Sequence, residues 1–364
     1  MSRRRGRTVA PGRGRTANPG RTEAPIQAEL DASWHSSIDD YVIDARWSPD
    51  GQMLAVAAIS GPIGCLDIDT GKPVWTVHAH GFGTTELDWH PGLELLTSAG
   101  QDGLLRNWDP ATGQQLSEMD GGSAWVEHVA WSPSGKVLAS AAGKALRLWD
   151  PAGTLLREFS DHTSTISDIA WKPGCEEVVT GAYGGLRFWN VLSSDAVRTL
   201  EWRGSILTIA WSPDGKYIAT GDQDSTVHFW TIRTGKDLQM YGYPTKVQDL
   251  SWDSRGKYLA TGGGPTVAVW DCRGRGPEGR SPILLEGHES VLTALAFHPD
   301  RNLLISGDES GHVALWQPGV SDEPLDHIVV GNAISVLQWS PDGSAVVVGT
   351  ENGSVARLEL RSED

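Results

Sequence analysis

The chain has 364 residues and a formal net charge of −16, with 21% charged and 39% hydrophobic residues. Residues 1–22 hold seven arginines and no acid, so that stretch is +7 and the remainder −23. An acidic body argues against a general nucleic-acid binder, because phosphate contacts need Lys and Arg. Cys65, Cys175 and Cys272 show no ligand spacing and are odd in number, which fits a reducing compartment rather than a disulfide framework. No apolar run approaches the roughly 18 residues of a membrane span, and no secretory core opens the chain. The expectation is a cytoplasmic protein with no membrane contact.

In chain order, residues 1–25 are rich in Arg, Gly, Pro and Thr and poor in large apolar side chains. Such a segment cannot bury enough surface to offset its ordering entropy, and a disordered tail is predicted. Residues 26–34 read as a solitary strand. Residues 26–361 are predicted to be one domain built from a repeat, and residues 205–246 state the unit most cleanly. Four short runs of alternating apolar and polar residues are separated by turns at Ser-Pro-Asp-Gly (212–215), Gln-Asp-Ser (223–225) and Thr-Gly-Lys (234–236). This is the pattern of a four-stranded antiparallel meander. Apolar side chains on both of its faces require stacked neighbours.

The neighbours are present. A first-strand anchor recurs at Trp47, Trp89, Trp131, Trp171, Trp211, Trp252, Phe297 and Trp339, in steps of 42, 42, 40, 40, 41, 45 and 42 residues. A third-strand anchor recurs in register at Leu66, Trp108, Trp149, Trp189, Trp230, Trp270, Trp316 and Leu358. Thirteen of the 17 tryptophans are such anchors; Trp34, Trp75, Trp125 and Trp202 are left over. A period near 40 with four strands per unit is the mark of a propeller blade. The final repeat lacks a fourth strand, which residues 26–34 are placed to supply.

With Trp-Asp intact at 108–109, 149–150 and 270–271, and Gly-His at 287–288, the chain resembles the WD-repeat (WD40) β-propeller family; no particular member stands out. The resemblance implies an all-β closed ring of four-stranded antiparallel blades, with eight blades predicted and seven the alternative. The ring would close through the N-terminal strand on the last blade. The resemblance also implies a buried tetrad pinning each blade: a His before strand one, a Ser or Thr on strand two, an Asp in the following hairpin, and the third-strand Trp. Matched residue by residue, only repeat two is complete, with His80, Ser98, Asp102 and Trp108. Repeat seven keeps His288, Ser306 and Trp316 but has Ser310 at the Asp position. Repeat five keeps Thr220, Asp224 and Trp230 but has Trp202 where His is expected.

His78 and His80 lack the further ligands a metal needs, and no nucleophile elbow or phosphate loop appears. No cofactor, metal or catalytic residue is predicted. Asp44, Glu86, His128, Asp168 and Asp249 share the position three before an anchor and are candidates to line the central channel. Phe82, Trp125, Tyr183, Trp202 and Tyr243 lie in connections into strand one or in hairpins between strands two and three. Those loops share one face, so the five are the candidate partner-binding residues; Trp202 and Tyr243 stand at the tetrad-His position, and a buried substitute for that histidine is their alternative reading. Arg273, Arg275 and Arg280, in the longest loop (272–282), are candidate basic contacts.

The leading reading is a non-enzymatic scaffold, a monomeric propeller within a complex, binding one or more proteins. The alternative is an RNA- or ribonucleoprotein-associated propeller using the basic tail and the 272–282 loop, and an enzyme with a channel-mouth site is the third.

Overall fold

The computed structural model describes residues 8–9, 25–192 and 194–362, so the predicted disorder of the tail falls almost wholly outside the described residues. All regular structure among them is β-strand. Each repeat is a meander because its turns are built in. In the fifth, Ser212 Oγ donates to Asp214 (2.8 Å) and accepts from the Tyr217 N–H (2.9 Å), while Gly215 adopts a φ of +65°. That side-chain bracket folds Arg198–Trp211 back onto Tyr217–Asp222. Next come Thr226–Thr231 and Lys236–Tyr241, each antiparallel to its predecessor.

Counted as sheets, the blades number seven, not the eight predicted, and they do not form the expected ring of eight separate four-stranded units. Six sheets have four strands and one has seven. The fusion lies between repeats four and five. Elsewhere a loop separates a fourth strand from the next first strand, but Arg198–Trp211 is continuous and serves both repeats. Glu177–Asn190 is likewise continuous through the second and third strands of repeat four. Ala28–Ser37 pairs antiparallel with Ser354–Ser362 as the fourth strand of the last repeat.

The core lies between repeats. Eight apolar clusters each join two successive repeats; one packs Trp34, Trp47 and Leu54 against Ala345, Val347 and Val355, joining last to first. A meander with two apolar faces is stable only when flanked.

The first-strand tryptophans fasten this stack. Trp47, Trp89, Trp171, Trp252 and Trp339 donate their indole N–H to the carbonyls of Gln338, Arg46, Ala130, Ala210 and Ala296, at 2.9–3.2 Å. Each acceptor lies one residue before the preceding repeat's anchor. Trp131 bonds Thr97 Oγ1 instead (3.0 Å), and the buried Trp211 indole N–H has no partner.

A second row runs near the rim. Trp34 and Trp75 donate to the carbonyls of Ile68 and Pro110 (2.7 Å each), two residues past the next repeat's third-strand anchor, and Arg198 does the same to Ile232 (2.5 Å). Glycine makes room: a Cβ on Gly71 or Gly113 would come within 2.5 and 2.7 Å of those indoles. Two of the four left-over tryptophans are thus inter-repeat bonds.

Trp89→Phe is expected to cost about 1 kcal/mol more than Trp211→Phe in urea unfolding. Both lose similar volume, but only the first removes a hydrogen bond between repeats. Equal losses would show that the bond adds nothing beyond ring packing.

Candidate functional site

The pinning residues decide which aromatics are free. In repeat two, His80 Nδ1 lies 2.8 Å from Asp102 Oδ1 and Nε2 lies 2.8 Å from Ser98 Oγ, which also accepts the Trp108 indole N–H at 2.9 Å. A carboxylate can only accept, so Nδ1 carries the proton and Ser98 donates to Nε2. Burial holds the imidazole below its usual pKa despite the pull of Asp102. Arg106 Nη1 holds the other Asp102 oxygen at 2.8 Å.

Repeat seven differs from the expectation. The carboxylate beside His288 belongs to Asp308, two residues past Ser306, and not to the Ser310 position: Nδ1 to Asp308 Oδ2 is 2.8 Å, Nε2 to Ser306 Oγ 2.7 Å, and Trp316 to Ser306 2.8 Å. The Gly-Asp doublet that ends strand two is the available signal. Repeat four joins His162, Thr180 and Trp189 at 2.9 Å each. No carboxylate reaches His162 Nδ1, which is buried without a partner, and burial drops that imidazole to about 4.

Repeats five and six have other residues at the His position. Tyr243 takes the role in repeat six, its hydroxyl 3.0 Å from Thr261 Oγ1 and accepting the Trp270 indole N–H at 3.0 Å. Trp202 cannot. Its ring lies on the fully buried His228 at 3.8 Å between centroids, and the Trp202 Nε1 and His228 Nε2 atoms are buried without partners. Asp222 stands at the place of Asp308, fully buried, with Oδ1 unpartnered; burial, then the nearby Asp224 charge, pushes its carboxyl up to about 8. Asp224, matched to the tetrad from sequence, instead accepts from Thr226 Oγ1 at 2.7 Å. Trp202 and Tyr243 are therefore both partly buried at the His position, but only Tyr243 replaces the pin.

The inner acids are also committed. Asp44, Glu86 and Asp168 accept the backbone N–H of Leu87 (3.0 Å), Val129 (2.9 Å) and Ile209 (2.6 Å), two residues before the next repeat's anchor. Burial pulls His128 down, but Glu86 at 3.4 Å raises it to about 9. Asp249 accepts no such bond, and burial raises it to about 7. No group of three or more potential ligands for a metal ion occurs among the described residues.

Three candidates remain on the surface: Phe82 (77% exposed), Trp125 (55%) and Tyr183 (57%). They belong to repeats two, three and four. Connections and hairpins meet on one face, as the Gln101 N–H to Gly83 carbonyl bond (2.8 Å) and the Tyr183 N–H to Ser164 Oγ bond (3.0 Å) show. Trp125 is the single exposed tryptophan of the seventeen. In the 272–282 loop, Arg273 and Arg280 are held by Asp271 at 2.5 and 2.6 Å, whereas Arg275 is exposed.

His80→Ala or Asp102→Asn is expected to cost on the order of 1–3 kcal/mol in thermal or urea unfolding, by leaving buried polar groups unpaired. No loss for either would remove the pinning role. Asp222 runs the other way. Its folded pKa lies above its unfolded value, so the fold loses stability as pH rises from about 4 towards 8 while the buried carboxyl keeps its proton. Asp222→Asn should leave the melting temperature unchanged near pH 4 and raise it by several degrees at pH 8. A variant no more stable than wild type at pH 8 would contradict this.

Residues 113–150, 153–190, 195–231, 235–271 and 279–317, together just over half the chain, match the family described as WD domain, G-beta repeat. Residues 33–91 match the anaphase-promoting complex subunit 4 WD40 domain. Protein transport protein sec13 of Aspergillus clavatus is 29% identical over 148 residues, covering 33% of this chain and 48% of its own. Telomerase protein component 1 of Rattus norvegicus is 29% identical over 146 residues, covering 39% and 5%. WD repeat and SOCS box-containing protein 1 of Xenopus tropicalis is 34% identical over 108 residues, covering 29% and 26%. The chain thus spans less than half the length of these relatives. Among solved structures, the computationally designed Ika8 protein superimposes with a TM-score of 0.77 at 25% identity, covering 89% of this chain and 97% of that one. The repeat, its anchors and these matches together place the chain in the WD-repeat family.

Proposed function

We propose that this chain is a non-enzymatic interaction scaffold that binds a protein partner through the face carrying Phe82, Trp125 and Tyr183. WD-repeat propellers generally mediate protein interactions, and one observation supports this particular face. Every other tryptophan is spent inside the fold, as a core anchor, as a bond between repeats or, for Trp202, against His228. Trp125 has no such use and stands half exposed with two further aromatics on neighbouring repeats. Large aromatics on a rigid frame are the side chains that anchor partners, since they bury much area at little entropic cost. The acidic body favours basic partners.

The nucleic-acid reading has less support. Two of its three loop arginines share ion pairs with the single carboxylate of Asp271, and its tail lies almost wholly outside the described residues.

The test is retention of partners by immobilised protein, with thermal melting as the control. Phe82→Ala, Trp125→Ala and Tyr183→Ala combined should keep the melting temperature and lose retained protein, whereas Trp202→Ala should lower the melting temperature. Undiminished retention by the triple variant would sink the reading.

A further inference from the structure

Each fourth strand of a propeller is an edge, with unpaired N–H and C=O groups that invite another strand. Most edges here are blunted. Those of repeats one, two and three, and the N-terminal strand on the last repeat, carry register shifts. The 198–201 edge of repeat four holds register over only four residues before a shift. The edges of repeats six and seven, Ile283–Leu285 and Asp326–Val329, are three and four residues long. Repeat five is different. Lys236–Tyr241 pairs six residues in succession with Thr226–Thr231 and has no bulge.

That unprotected edge is where a further strand lies. Thr8–Val9 runs parallel to it, Thr8 opposite Gln239 and Val9 opposite Met240. We infer that the outer edge of repeat five is a strand-accepting site whose occupant is the chain's own N-terminal segment around Thr8–Val9, added as a fifth strand.

Sequence and chain length agree. Val9 is the only branched aliphatic residue in 1–24; it and Thr8 are both β-branched, and Pro11 ends the run. From Val9 to Ala28, the first residue paired on the last repeat, 19 residues can reach about 60 Å. A domain of this size is roughly 50 Å across, so the segment can reach repeat five of its own chain. The arm is +7 and the body −23, so the charges attract. The site holds Thr8–Val9 against the fifth repeat, and an extended peptide of similar sequence would compete for it.

Hydrogen exchange read by mass spectrometry on the full chain tests this with V9P, which removes a strand N–H from a residue outside the repeats. Amides at 239–241 should exchange several-fold faster in the variant than in wild type at every protein concentration, with 226–231 and the melting temperature unchanged. A synthetic peptide of residues 3–14 added to the variant should restore slow exchange. Equal rates in the two proteins, or failure of the peptide to restore protection, would overturn the site. Protection that grows with wild-type concentration would assign the edge to a second copy and overturn the intramolecular occupant.

Discussion

The bond on which this architecture depends is the one from a first-strand indole N–H to a carbonyl of the preceding repeat. A four-stranded meander with two apolar faces has no independent stability, so its energy must come from its neighbours. Tryptophan supplies two things at one position: a large surface for the cluster between repeats and a polar edge that adds a donor from the next repeat to a strand carbonyl. The same economy recurs near the rim with Trp34, Trp75 and Arg198, and at the inner strand with Asp44, Glu86 and Asp168. Each crosses to the next repeat at a fixed offset from an anchor.

Within a repeat, the pinning network has a second consequence. Where a histidine reaches in from the connection, as at His80, His162 and His288, the chain leaves the fourth strand in a loop before starting the next first strand. At Trp202 no such bond draws the connection inward. The chain there stays extended, and two repeats become one sheet. The carboxylate that would have met the histidine is still present as Asp222, buried, half unpartnered and with its pKa raised to about 8. The departure in sheet count and the departure in hydrogen bonding fall at the same connection.

Trp125 is set apart because the interior takes up the other tryptophans. An interior that absorbs almost every tryptophan makes the exposed one informative, because exposure of a large aromatic has a cost that the fold does not recover. Edges follow the same logic. Bulges and short strands protect the rim except at repeat five, and the N-terminal strand pair sits at that exception.

The repeat, its anchors, the strands and the family were legible from the order of residues, because alternation of period two and a spacing near 40 are local, one-dimensional signals. The tetrad members of repeat two were legible as residue types at fixed offsets. The role of Asp308, the inward turn of Trp202 and Tyr243, and the use of Trp34 and Trp75 were not. Each depends on which atom of a different strand or repeat lies within hydrogen-bonding reach, and a shift of one or two residues in register exchanges one partner for another. The number of sheets belongs with these. Eight repeats are written in the chain, but whether two of them separate is settled by the path of a single connection, where one indole stands in place of an imidazole.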